Sequence, residues 1–111
     1  MDNISFDYFK KMELKVAEIK TAEDIEGADR IYKLRVDLGE PEERRIVAGI
    51  KQFYTKEELV GKKVVVLSNL EPKELKGEMS HGMLLAAVEE EPRRVVLITV
   101  DKDVKNGTRV S

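Results

Sequence analysis

Apolar and polar positions alternate most regularly between Ile31 and Leu38. Leu34, Val36 and Leu38 fall on one side, and Lys33, Arg35 and Asp37 on the other. That pattern predicts a strand with one buried face. Gly39-Glu40-Pro41-Glu42-Glu43 supplies turn chemistry, so Arg44 to Ala48 is predicted to return beside it as a hairpin. Leu14 to Thr21 is also predicted as a strand, with imperfect alternation at Val16, Ala17 and Ile19, and Ala22 to Asp29 as a loop around Gly27. Ahead of these, Ser5 can cap a short helical turn whose three-apart Phe6, Phe9 and Met12 are expected to point inward.

The second half continues in the same style. Thr55 and Glu58 have capping-box spacing, which predicts a helical turn over Lys56 to Leu59 closed by Gly61. Val64-Val65-Val66-Leu67 is an apolar strand core. Residues Ser68 to Gly82 read as a polar connection, Met83 to Val88 and Val95 to Val100 as strands, and Thr108-Arg109-Val110 as a last short one after Asn106-Gly107. Three strands, a short helix and two further strands give an all-β fold. The layout is that of a five-stranded OB-fold barrel with the helix between strands three and four, plus extra N- and C-terminal segments. Another small barrel or sandwich is the alternative. With 111 residues the chain is expected to form a single domain over 1–111.

Composition removes several chemistries. The chain has no Cys and a single His, which excludes disulfide frameworks, Cys-ligated zinc, thiol catalysis and imidazole metal clusters. No apolar run approaches the roughly 20 residues of a membrane span, and the first residues show no basic segment leading into an apolar one, so a cytoplasmic protein is expected. The net charge of −2 argues against a nucleic-acid partner until its distribution is read: residues 44–76 carry 8 basic and 4 acidic side chains, while 1–29 carry 4 and 8.

No catalytic constellation emerges. Ser80 and His81 are adjacent in a loop, where their side chains do not face each other as a triad requires. Glu57/Glu58 and Glu89/Glu90/Glu91 have no apolar surroundings to raise a pKa. Gly77 to Gly82 lacks the Lys-Ser/Thr ending of a P-loop. No catalytic residue, cofactor or metal is therefore expected. Binding has more behind it: on an OB-fold the second and third strands and the loop after the fourth would present Lys33, Arg35, Arg44 or Arg45, Asn69, Lys73, Lys76 and Ser80. The same charges would decorate the outward face of any soluble barrel. Aromatic stacking platforms are missing there, since only Tyr32 lies near the strand face, so bound RNA would be read by shape and backbone.

Several ordered segments resemble one family. They are Phe6-Asp7-Tyr8-Phe9-Lys10-Lys11-Met12-Glu13-Leu14-Lys15-Val16, Glu26-Gly27-Ala28-Asp29-Arg30-Ile31-Tyr32-Lys33-Leu34, Arg44-Arg45-Ile46-Val47-Ala48-Gly49-Ile50, Leu67-Ser68-Asn69-Leu70 and Ser80-His81-Gly82-Met83-Leu84-Leu85-Ala86-Ala87. These are similar to the tRNA-binding domain family, which includes the C-terminal domain of methionyl-tRNA synthetase, free-standing structure-specific tRNA-binding proteins and the export-related chaperone CsaA. The resemblance implies an OB-fold that dimerises and binds tRNA without catalysis, raising a synthetase's affinity for tRNA in cis or in trans. By motif it implies tRNA contacts at Lys33, Arg35, Arg44, Asn69, Lys76, Ser80 and Met83. Where the family reads Pro-(Arg/Ala)-Lys-(Leu/Met)-Arg-Gly, this chain has Pro72-Lys73-Glu74-Leu75-Lys76-Gly77, which moves a cation to Lys73. His81 stands where Gln or Glu is common. The apolar Val95 to Val100 run and the N-terminal aromatics are expected to bury against a second copy. The alternative role within the family is that of a peptide-binding chaperone with an apolar groove.

Overall fold

The computed structural model describes residues 2–111. A short turn, α1 (Phe6–Phe9), is capped by Ser5, whose Oγ accepts the Tyr8 N–H at 3.0 Å. β1 (Leu14–Asp24) follows and is the longest strand. β2 (Tyr32–Asp37) and β3 (Arg44–Ala48) form the expected hairpin. α2 (Lys56–Leu59) carries a complete capping box: Thr55 Oγ1 accepts from Glu58 N–H, and the Glu58 carboxylate accepts from Thr55 N–H at 2.7 Å. β4 (Lys63–Leu67) and β7 (Met83–Leu84) complete an antiparallel sheet of order β3-β2-β1-β4-β7, after two short strands, β5 (Lys73–Leu75) and β6 (Glu78–Ser80), that pair only with each other. β8 (Ala86–Glu89) pairs with β9 (Arg94–Leu97), and β10 (Arg109–Val110) pairs with the start of β1.

β1 makes the curvature. Its first half, Leu14 to Glu18, pairs with β4. Its second half, Glu18 to Asp24, pairs with β2, and the register shifts between Ile19 and Thr21. An irregularity at that point increases twist and bends the strand, so one chain serves both walls. The sheet thereby curls into a nearly closed five-strand antiparallel barrel with a short helix, consistent with the OB-like reading. The inward side chains Ile19, Leu34, Val36, Ile46, Val64 and Val66 are fully buried, and Leu59 of α2 is buried with them in the same core. Two turns close against each other where residues without a Cβ are required. Gly39 has φ +76°, and a Cβ there would lie 2.6 Å from the Asn106 carbonyl oxygen; Gly107 faces the Leu38 carbonyl in the same way.

The structure departs from the sequence reading in five places, one of them that the Val95 to Val100 run is strand only as far as Leu97, at the end of β9. Ala22 to Asp24 is strand, not loop, because β2 supplies hydrogen-bonding partners as far as Tyr32. The connection from Ser68 to Gly82 contains the β5–β6 hairpin. The run Met83 to Val88 breaks at Leu85, since β7 belongs to the barrel and β8 to a separate two-stranded ribbon with β9. The three-apart apolar residues do not enter the core: Phe6 is 70% exposed and Met12 38%, and Phe9 is only half-buried against Phe6, with Lys10 resting over the Phe6 ring. α1 precedes β1 on the outside of a barrel whose interior is already filled, so its apolar side chains have no core to enter.

Candidate nucleic-acid interface

The outward face begins with strand parity. In an antiparallel pair, directly opposed residues project to the same side. Lys33 opposes Val47 and Arg35 opposes Arg45, so β2 and β3 together present Lys33, Arg35 and Arg45 outward while Leu34 and Ile46 fill the core behind them. The β5–β6 hairpin is fastened to the free edge of β3. Ser80 Oγ accepts the Val47 N–H at 2.9 Å and donates to the Gly82 carbonyl at 3.0 Å. His81 N–H donates to the Arg45 carbonyl at 2.9 Å. This brings Glu78 of β6 to the strand face, 3.3 Å from Arg45 Nη1 and 3.8 Å from Lys33 Nζ. The Nε of Arg45 is buried without a partner among the described residues.

The tip of the hairpin is the two-residue turn Lys76-Gly77, with φ +51° and +82°. Two consecutive left-handed residues define a type I′ hairpin turn, and a lysine in the first of them is strained, because its Cβ crowds the backbone. The turn holds Lys76 out in solvent, beside Arg30 on the rim of a small cavity. Lys73 lies exposed on β5. Among the described residues Arg35, Lys73 and Lys76 enter no ion pair.

Other residues expected at the interface are engaged within the fold. Arg44 Nη1 donates to the carbonyls of Ser68 at 2.6 Å and His81 at 3.2 Å, and its Nη2 pairs with Glu40 at 2.6 Å. That guanidinium ties the β2–β3 turn to the ends of the 68–82 segment. Asn69 uses both ends of its amide, accepting from Glu13 N–H at 2.9 Å and donating to the Lys11 carbonyl at 2.6 Å, which pins the N-terminal segment to the end of β4. Ser80 is buried at 5% exposure. Met83 is exposed and lines an apolar groove with Ala48, Ile50, Val88 and Val95.

The basic block 44–76 is dispersed by the fold. Lys51 and Lys56 both close on Asp24, at 3.0 and 2.7 Å. Hydrogen bonds from these ammonium groups, Lys56 foremost, hold the Asp24 carboxyl below its ordinary 3.8, and Asp24 in turn raises Lys56. Lys63 pairs with Asp103. An open cleft of about 650 Å³ beside Arg44 and His81 is lined by Glu40, Glu42 and Glu43, a wall that repels phosphate and bounds the basic face. Of the residues at this face, the sequence names Arg45 only as an alternative to Arg44, and it does not single out Glu78 at all. Parity held the signal for the first: with Ile46 inward, Arg45 must point outward and Arg44 away from that face.

A model of the family described as "Putative tRNA binding domain" matches residues 14–109. The chain is 50% identical over 110 residues to a methionine–tRNA ligase of Methanocaldococcus jannaschii, a match covering 99% of this chain and 17% of that protein. The match to the ligase of Caldanaerobacter subterraneus is 46% over 111 residues, again 17% of the relative. The chain thus spans about a sixth of the length of these relatives. Among solved structures, a methionyl-tRNA-synthetase-related protein from Pyrococcus horikoshii superposes with a TM-score of 0.91 at 42% identity, covering 100% of both chains. The chaperone CsaA from Bacillus anthracis superposes with 0.88 at 28%, covering 99% of this chain and 100% of that one. The match spans nearly the whole barrel and includes every residue of the basic face, and on it the chain belongs to the family of non-catalytic tRNA-binding domains.

Proposed function

We propose that folded tRNA docks on the face made by Lys33, Arg35 and Arg45 and continued by Lys73 and Lys76 on the hairpin. The observation that carries this is the register Arg35 opposite Arg45. Like charges directly opposed across strands lower stability, so a face that sets two guanidinium groups side by side is suited to an external anion. The strain at Lys76 has the same sense, a cation held outward at a conformational cost. Arg44, Asn69 and Ser80 act one step back by fixing the strand ends and the hairpin, and Met83 flanks the face. The test is tRNA binding across salt concentrations with Arg35→Gln and Arg45→Gln. Each variant should weaken binding and reduce the slope of log K against log salt by about one unit. Unchanged slopes in both would remove this face.

The domain, spanning 1–111, works in this reading as a homodimer in the cytoplasm, alongside or within a methionine–tRNA ligase, adding tRNA affinity that a catalytic unit alone lacks. Support for pairing comes from exposed Phe6 and Tyr8 and from Val96 and Ile98 at 42% and 40% exposure, apolar surface that a second copy would cover. Sedimentation at micromolar concentration should show a dimer, and a monomer alone would sink that part. A second reading, capture of unfolded peptide, draws on the apolar groove beside Met83 and on the likeness to CsaA. Competition between tRNA and an unfolded protein client for the same chain separates the two.

A further inference from the structure

We infer that Glu78 is a resident anion, occupying the seat between Lys33 and Arg45 that an RNA phosphate takes on binding; the inference rests on the tRNA-docking face proposed above. One carboxylate oxygen, Oε1, meets both cations, at 3.8 Å from Lys33 Nζ and 3.3 Å from Arg45 Nη1. Charge-assisted hydrogen bonds lie near 2.7–2.9 Å, so both contacts are loose. The contrast within the same molecule is the Glu40–Arg44 pair at 2.6 Å, which closes a guanidinium already bound to two carbonyls. Arg45 keeps an unpartnered Nε, so Glu78 does not saturate it. All three side chains are between 26% and 37% exposed, open to a ligand arriving from solvent.

Anchoring the hairpin does not require this carboxylate, because Ser80 and His81 already hold β6 to β3 through hydrogen bonds to Val47 and Arg45. What Glu78 does is hold two like-charged side chains in register while the face is empty. A phosphate then enters by exchange for the carboxylate, and a polyanion able to bring several phosphates to Arg35, Lys73 and Lys76 together completes that exchange.

The experiment is tRNA binding by Glu78→Gln and Glu78→Ala, measured across salt concentrations beside the unaltered chain, with thermal unfolding in parallel. Loss of two half-exposed ion pairs frees the cations, so both variants should bind tRNA roughly 3- to 10-fold more tightly at about 0.1 M salt. Their salt slopes should stay close to that of the unaltered chain, because the same phosphates are neutralised once the exchange is complete. In an Arg45→Gln background the gain should shrink below about 2-fold. Unaltered chain that binds tRNA, with variants that bind equally or more weakly, overturns the role of Glu78 alone. Failure of the unaltered chain to bind tRNA overturns the docking face itself.

Discussion

Ser80 decides between two roles, and its alanine variant tells them apart. The family resemblance places it against tRNA; the structure buries it at 5% exposure with Oγ between Val47 N–H at 2.9 Å and the Gly82 carbonyl at 3.0 Å. Alanine leaves the amide of Val47, a residue only 7% exposed, without an acceptor. An orphaned buried donor costs about 1–3 kcal/mol and the Gly82 carbonyl loses its donor as well, so about 2 kcal/mol is expected in total. At about 2.1 cal/mol/K of unfolding entropy per residue, a chain of this length then loses about 9 °C in Tm. A protein of ordinary stability stays folded at 25 °C after such a loss. Its tRNA affinity should change by less than about 2-fold with an unaltered salt slope, since no phosphate contact is removed. The assays are thermal unfolding by circular dichroism and filter binding at two salt concentrations. An unchanged Tm together with a tenfold loss of affinity would refute the assignment and return Ser80 to the RNA surface.

Three further outcomes follow from named contacts. Asn69→Ala removes the clamp on Glu13 N–H and the Lys11 carbonyl; water can replace both exposed bonds, so the loss should be about 1 kcal/mol, with faster hydrogen exchange confined to residues 5–13. Lys76→Asn places a residue tolerant of positive φ in the type I′ turn and should raise stability by about 0.5–1 kcal/mol while lowering the tRNA salt slope by about one unit; a stability gain without a binding loss would remove Lys76 from the face. The Asp37 carboxyl is held below its ordinary 3.8 by the Gly39 N–H at 2.8 Å and then by the Asn106 amide. Because the folded value is the lower one, its stabilisation is present above 3.8 and is lost as pH falls through the folded pKa. Asp37→Asn should therefore flatten the acid limb of urea midpoints taken from about pH 6 to about pH 2.5, and parallel limbs would refute it.

The barrel was readable where a single physical rule dominates. Period-two alternation placed Leu34, Val36 and Leu38 inside and Lys33, Arg35 and Asp37 outside, and Thr55/Glu58 announced α2, which buries Leu59. Failures occurred where pairing, not local pattern, decides. β1 runs on to Asp24 because β2 offers it backbone partners, and no residue in Ala22-Glu23-Asp24 signals that from within. The β5–β6 strands are three residues each, charged, and joined at a left-handed lysine, so neither alternation nor an Asn-Gly signal marks them. The apolar run at Met83 to Val88 hides a change of partner at Leu85, since both halves remain strand and only the sheet they join differs.

The outward cationic face was legible in kind but not in which of its charges are free, and the reason is that a cation's availability depends on its partner. Arg44 and Arg45 are neighbours in sequence, yet one closes a guanidinium on two carbonyls and Glu40 while the other faces Arg35 across the hairpin. Likewise the positive block 44–76 contributes less than its charge, because Asp24 takes Lys51 and Lys56 and Asp103 takes Lys63. What remains for an anion on this face is Arg35, Lys73 and Lys76 outright, with Arg30 beside Lys76, plus Lys33 and Arg45 against the competition of Glu78; Lys62, also without an ion pair among the described residues, rests over the Tyr54 ring. Few free charges cannot hold a flexible strand, whose phosphates must be ordered one at a time at an entropic cost. They can hold a rigid ligand that presents its phosphates already spaced. The acidic wall of Glu40, Glu42 and Glu43 further restricts the directions from which such a ligand approaches. If tRNA docks on the proposed face, its selection of folded RNA would thus arise from the small number of free cations as much as from their placement.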